Sequence, residues 1–277
     1  MTESVPTAAS TTMYLDRPGG RIAYEVSGQG PLVVLVPGMG DLRATYRFLA
    51  PSLVEAGYRV ALTDLRGHGD SDPTFSSYGD LDTAGDVGAL IETLGGPAVV
   101  VGNSMGAGAA VCAAAEHPEM ISGLVLVGPF VRDGEVSAFA RALMRVALAA
   151  PWAAATWRAY LPRLHAGRTP PDHEAHLRQV TASLRRPGYA RAFSRTTRLS
   201  HAPAEARLGQ VQAPTLVMMG ERDPDFPDPL AEAAWIADTL GGRMVMVPDS
   251  GHYPHSQQPD LVTDAVLDFL AEVAHRA

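Results

Sequence analysis

Gly102-Asn103-Ser104-Met105-Gly106 lies between two runs of opposite habit, Ala98-Val99-Val100-Val101 before it and Ala107-Gly108-Ala109-Ala110-Val111 after it. The β-branched run favours a strand and the small-residue run a helix. A G-x-S-x-G segment joining the two forces a turn so tight that side chains two positions either side of the serine would collide, hence the flanking glycines. Ser104 is thereby pushed out at the end of a strand. The helix that follows aims unpaired amides and the positive end of its dipole at the same point. A strand-turn-helix unit of this kind restricts the chain to an α/β architecture and makes Ser104 a candidate nucleophile.

A serine hydroxyl needs a base within hydrogen-bond reach, and the base is usually oriented by a carboxylate. Both residue types follow in order. Thr215-Leu216-Val217-Met218-Met219-Gly220 reads as a buried strand, with Glu221-Arg222-Asp223-Pro224-Asp225 as the loop after it; Arg243 to Val247 reads as the next strand, with Gly251-His252-Tyr253-Pro254 beyond it. The carboxyl ends of strands in an open parallel sheet face one edge, so residues far apart in sequence converge there. Asp225, His68, His201 and His255 compete with Asp223 and His252 for the acid and base roles.

These segments resemble those of the α/β-hydrolase family, and the resemblance runs through most of the chain. Val36-Pro37-Gly38-Met39-Gly40 stands where the family carries its oxyanion loop, with Pro37 at the usual histidine position. Asp64-Leu65-Arg66-Gly67-His68-Gly69-Asp70-Ser71 is similar to the family's D-x-R-G-x-G-x-S segment, Gly220-Glu221-Arg222-Asp223 with Pro227 to its acid loop, and Gly251-His252 to its histidine loop. The resemblance implies a triad of Ser104, Asp223 and His252, an oxyanion hole from the backbone N–H groups of Met39 and Met105, and structural bracing by Asp64 and Arg66. It further implies a serine hydrolase that cleaves carboxylic esters or lactones through an acyl-enzyme on Ser104, with no cofactor and no metal. The Gly-Asn-Ser-Met-Gly form is shared with hydrolases of carbon–carbon bonds and with cofactor-free perhydrolases. A third reading is a ligand receptor on the same fold that turns over slowly or not at all.

Seven strands are expected, at Arg21–Val26, Leu32–Val36, Arg59–Thr63, Ala98–Val101, Gly123–Val127, Thr215–Met219 and Arg243–Val247. Helices are expected at Arg43–Glu55, Leu81–Leu94, Ser104–His117, Leu230–Leu240 and Asp260–Ala274. Together these describe a mostly parallel twisted sheet of about eight strands covered by helices on both faces. From Val131 to Pro203 strand character is missing. Leu143, Val146, Ala147 and then Trp157, Tyr160, Leu161 fall at helical spacing, with breaks at Pro151, Pro162, Pro170-Pro171 and Pro187-Gly188. The expected organisation is a hydrolase core at 1–130 and 204–277 carrying a helical cap at 131–203. Phe130, Trp152, Trp157 and Tyr253 are candidates for the substrate pocket, with Phe139 and Tyr160 as further aromatics near it.

The 277 residues include 46% hydrophobic and 19% charged side chains, enough apolar content for a buried core. Cys112 is the single cysteine and reads as a small buried residue, so neither an internal disulfide nor a cysteine-based metal site is expected. Residues Met1 to Ser10 lack the basic and apolar regions of a secretory signal, and Phe139 to Leu161 is too often interrupted by Arg and Pro to span a membrane. A cytoplasmic enzyme acting on a small ester, lactone or related acyl compound is the expectation, with neither membrane nor nucleic acid as partner; oligomeric state is not legible. All 22 basic residues are arginines. Twelve lie in the 131–203 segment against four acids, a formal +8 beside −16 for the remainder. A basic lid seated on an acidic body and attraction of an anionic substrate are the two readings of that imbalance.

Overall fold

A computed structural model describes residues 11–134 and 137–276. Among the described residues eight strands form one sheet: β1 (Met13–Arg17), β2 (Gly20–Ser27), β3 (Leu32–Val36), β4 (Arg59–Thr63), β5 (Ala98–Asn103), β6 (Ile121–Val127), β7 (Thr215–Gly220) and β8 (Arg243–Val247). Their order is β1-β2-β4-β3-β5-β6-β7-β8. β2 pairs antiparallel with β1 and β4, and the pairings from β4 through β8 are parallel.

The continuous apolar runs of β3, β5 and β6 follow from burial on both faces. Val34, Val36, Val100, Leu124 and Leu126 pack on one side against α2 (Asp80–Leu94), α3 (Met105–Glu116) and α9 (Pro229–Leu240). Val33, Leu35, Val99, Val101, Val125 and Val127 pack on the other side against α1 (Leu49–Glu55) and α11 (Pro259–Arg276). Cys112 sits in the first layer, fully buried, and burial pushes its thiol up to about 12.

Two elements differ from expectation. β1 lacks an apolar run because it is a half-exposed edge strand with Asp16 and Arg17 in it. The expected helix at Arg43–Glu55 is divided into a 3-10 turn, Arg43–Tyr46, and α1. Pro51 accounts for the division: in a continuous helix it would lose a backbone bond and strike the carbonyl of Arg47, whereas in the first turn of α1 it is tolerated.

Between β6 and β7, among the described residues, come the α-helices α4 (Ala138–Ala147), α5 (Ala153–Leu164), α6 (His173–Leu184), α7 (Tyr189–Thr196) and α8 (Ala202–Glu205) and a 3-10 turn, Leu208–Gln210, with α10 (Pro254–Gln257) lying after β8. Leu148, Trp157, Leu161, Leu164, Leu177, Val180, Leu184 and Phe193 form a separate apolar cluster that closes over Tyr253, Met39 and Leu42 at the carboxyl edge of the sheet. α8 and the 3-10 turn after it belong with the sheet instead, since Ala204 of the helix and Leu208 of the turn pack into the cluster around α3. No helix among the described residues is long and apolar enough to cross a membrane.

Candidate active site

Ser104 occupies the turn between β5 and α3 at φ 55° and ψ −123°, a positive φ for a residue with a side chain. Holding a non-glycine residue there costs about 1–3 kcal/mol and needs over-determined surroundings. Those surroundings are close backbone contacts. A Cβ on Gly106 would lie 2.5 Å from the Val36 carbonyl oxygen, one on Gly38 would lie 2.7 Å from the Ser104 Cβ, and one on Gly102 would overlap the Gly106 carbonyl. The Ser104 N–H donates to the Val127 carbonyl at 2.9 Å, and the Ser104 carbonyl accepts from Ala107 N at 3.0 Å. Asn103, fully buried, donates through Nδ2 to the carbonyls of Val127 at 2.9 Å and His252 at 3.2 Å, tying the strand end to the histidine loop.

That loop brings in His252, whose Nδ1 donates to Oδ2 of Asp223 at 2.7 Å. Both side chains are buried. Gly128, at φ 51°, leaves the room they fill: a Cβ there would lie 3.1 Å from His252 Nδ1 and 3.3 Å from Asp223 Oδ2. Burial alone disfavours charge on the His252 ring, but the Asp223 carboxylate, with Asp225 behind it, outweighs burial and raises the imidazole pKa above its ordinary value. Asp225 stands 3.9 Å from the same nitrogen and accepts the Tyr160 hydroxyl at 2.8 Å, while its backbone N–H donates to Asp223 Oδ1 at 3.0 Å. Asp223, Asp225 and His252 bring three possible metal-ligand atoms within 4.8 Å of one another. The proton on Nδ1 that bonds Asp223 removes the lone pair that a metal there would need from His252.

Ser104 and His252 both line one cavity of about 510 Å³, as do Met39 and Met105. Met105 opens α3, where the first N–H groups have no intrahelical partner. The Met39 segment is held from both sides. Gly40, at φ 74°, donates its N–H to His68 Nε2 at 3.0 Å, and its carbonyl accepts the Trp157 indole N–H at 2.7 Å. His68 turns Nδ1 to the Arg66 carbonyl at 2.9 Å, so its proton is on Nδ1, and burial lowers its pKa. It is a brace, not a residue facing the cavity. Asp64 accepts from Arg43 N at 2.8 Å and Asp70 N at 3.0 Å, and Arg66 bonds Asp86 at 2.6 and 2.8 Å.

Phe130, Trp157, Tyr160 and Tyr253 line the cavity. Trp152 does not: it stands half-exposed with its indole N–H on the Val146 carbonyl, and Phe139 is largely exposed. His255 bonds Thr45 at 2.9 Å, away from the cavity. His201 does line it, paired with Asp80 in an arrangement that neither residue's sequence neighbourhood signals. None of the twelve arginines of segment 131–203 is among the cavity's described lining residues.

The model of the alpha/beta hydrolase family matches residues 33–265 of this sequence. The chain belongs to the α/β-hydrolase family. Among its relatives, 2-(acetamidomethylene)succinate hydrolase of Mesorhizobium japonicum is 27% identical over 91% of this chain and 92% of its own length. 2-hydroxy-6-oxo-6-phenylhexa-2,4-dienoate hydrolase of Comamonas testosteroni is 30% identical over 91% of each. Among α/β-hydrolase structures, that of a thermophilic esterase from Thermogutta terrifontis superposes with a TM-score of 0.77 at 25% identity, covering 96% of this chain and 99% of that one.

Proposed function

We propose that the protein is a serine hydrolase that cleaves carboxylic esters or lactones. The observation that carries this reading is the shared cavity: a serine held at positive φ on a strand-to-helix turn faces the same 510 Å³ space as a buried histidine whose Nδ1 is bonded to Asp223 at 2.7 Å. With Nδ1–H committed to Asp223, the Nε2 lone pair of His252 is the one available to take a proton.

In this mechanism His252 accepts the Ser104 proton as the hydroxyl oxygen attacks the carbonyl carbon. Asp223 stabilises the resulting imidazolium, and the carbonyl oxygen becomes an oxyanion bound by the N–H groups of Met39 and Met105. Collapse expels the alcohol with the proton from His252 and leaves an acyl group on Ser104 Oγ. His252 then deprotonates a water that attacks the acyl carbon, releasing the acid and restoring Ser104. Each preorganised oxyanion donor is commonly worth about 2.7–4 kcal/mol of barrier. α4 to α7 act as the cap, and Trp157 contributes both pocket wall and support for the Met39 loop.

The cavity wall is mostly Met, Leu and aromatic, with no arginine among its described residues, which favours a neutral acyl compound over an anionic one. Turnover of a panel of short-chain and aryl esters, lactones and vinylogous diketones by wild type and Ser104→Ala tests the reading. Hydrolysis of an ester or lactone, lost by about 10⁴-fold or more in Ser104→Ala, is expected. A folded Ser104→Ala protein that keeps more than about a tenth of wild-type kcat rejects Ser104 as nucleophile.

A further inference from the structure

One wall of the cavity is built by the end of α7 and the segment that joins it to α8, through Thr196, Thr197, Leu199 and His201. His201 is held by a second histidine–carboxylate pair, separate from His252 and Asp223: its Nδ1 lies 2.9 Å from Oδ2 of Asp80. Asp80 is completely buried as a side chain and sits at the first position of α2, where the helix dipole favours a carboxylate. Its place is prepared by Gly108, since a Cβ on that residue would lie 3.0 Å from Asp80 Oδ2 and 2.6 Å from the Phe130 carbonyl. Phe130 then packs its ring 5.6 Å from that of His201 and 5.7 Å from that of His252, so one aromatic surface leads from the reacting groups to this wall.

The polar atoms of the wall are of one kind. The Thr196 hydroxyl donates its proton to the Ala192 carbonyl at 3.1 Å and the Thr197 hydroxyl to the Ser194 carbonyl at 3.0 Å, which leaves acceptor lone pairs only. A bond to Asp80 puts a His201 proton on Nδ1, so in the uncharged form of the ring Nε2 is an acceptor too, and among the described residues Nε2 makes no hydrogen bond. A wall of acceptors in a mostly apolar cavity, set apart from the polar group of Ser104, His252, Asp225 and Tyr160, is matched by a donor on the bound molecule.

We propose that His201, fixed by Asp80, forms a specificity subsite that binds a hydroxyl or amide N–H of a neutral substrate, away from the scissile carbonyl. This rests on the serine-hydrolase reading for the word substrate, but the subsite is testable without turnover. In a Ser104→Ala background, binding of ethyl hexanoate, of ethyl hexanoates hydroxylated at carbon 2, 3 or 6, and of the corresponding methyl ethers is measured by calorimetry. The ether keeps the oxygen and loses the proton. At least one hydroxy ester is expected to bind about fivefold or more tightly than its ether, the scale of one net hydrogen bond. His201→Asn retains a donor where Nδ1 stood, and so the bond to Asp80, but has nothing at the Nε2 position. It is expected to abolish that preference, and His201→Gln, which can return an acceptor near Nε2, to restore part of it. A preference below about fivefold at every position, or one that survives in His201→Asn, overturns the subsite. Should the wild type hydrolyse none of these esters while the His201-dependent preference holds, the subsite stands and the hydrolase reading fails.

Discussion

Asp223 accepts the Nδ1 proton of His252 at 2.7 Å, whereas Asp225, two positions further on, stands 3.9 Å from the same nitrogen and accepts the Tyr160 hydroxyl instead. Only the first can fix the tautomer that leaves Nε2 free to act as a base. Asp223→Asn is therefore expected to lower kcat by about 10⁴-fold, and Asp225→Asn by about tenfold or less. Steady-state kinetics on any ester the wild type turns over checks this, and equal losses would transfer the acid role to Asp225.

The same two carboxylates set the pH dependence. Both raise the His252 pKa against the opposing effect of burial. In the proposed mechanism His252 acts as a base only when neutral, so a raised pKa keeps it protonated to higher pH, and kcat/KM should climb with pH through a midpoint above the ordinary histidine value of about 6.5. Removing the Asp225 charge should move that midpoint down, because one of the groups that favours the imidazolium is lost. A wild-type midpoint at or below 6.5, or an upward move in Asp225→Asn, contradicts the electrostatic account.

A third expectation concerns the Met39 loop. Gly40 is at φ 74°, and a Cβ there would lie 2.5 Å from the Trp157 indole. Gly40→Ala must shift the backbone next to the Met39 N–H, and kcat should fall about 10²-fold or more, the usual cost of one lost oxyanion donor. Trp157→Phe keeps the ring but loses the bond to the Gly40 carbonyl, with an expected loss of about tenfold. Melting temperature measured alongside separates a misplaced loop from a protein that no longer folds; a folded Gly40→Ala variant with unchanged kcat would remove the Met39 loop from the oxyanion site.

What was legible beforehand follows from how local each constraint is. β3, β5, β6 and β7 are recognisable because strands covered on both faces are largely apolar, while β1, a half-exposed edge, carries Asp16 and Arg17 and gives no such signal. Ser104 is recognisable because its turn dictates glycines within two residues. The pairing of Asp80 with His201 spans 121 residues and follows no local rule, so only the folded chain brings it together. Trp152 and Trp157 illustrate the limit over a short stretch. Trp157 lies inside α5, whereas Trp152 is the non-helical residue that precedes it, so helical periodicity does not relate their directions, and which indole faces the cavity depends on how α5 packs over Met39 and Tyr253. The structure turns Trp157 inward and leaves Trp152 outside.

The uneven charge yields the last prediction. An arginine-rich segment of formal +8 on a body of −16 could draw in an anionic substrate or simply hold the segment down. Pairing favours the second. Arg132 bonds Glu232 of α9, with Nε at 3.0 Å, Arg186 lies 3.5 Å from Asp70, and in the reverse sense Arg47 of the body bonds Asp172 at 2.5 and 2.6 Å. Two salt series from about 10 to 500 mM, one with a neutral ester and one with a carboxylate-bearing ester of equal size, distinguish the two, since screening shortens over that range from roughly 30 Å to well under 10 Å. Steering acts on the encounter and would make only the charged ester lose kcat/KM with salt. Seating is an internal contact, so its weakening changes the site that both esters meet. Parallel curves are therefore expected, and a selective fall for the carboxylate ester would instead mean that the exposed arginines act at long range on the substrate, despite contributing nothing to the described cavity wall.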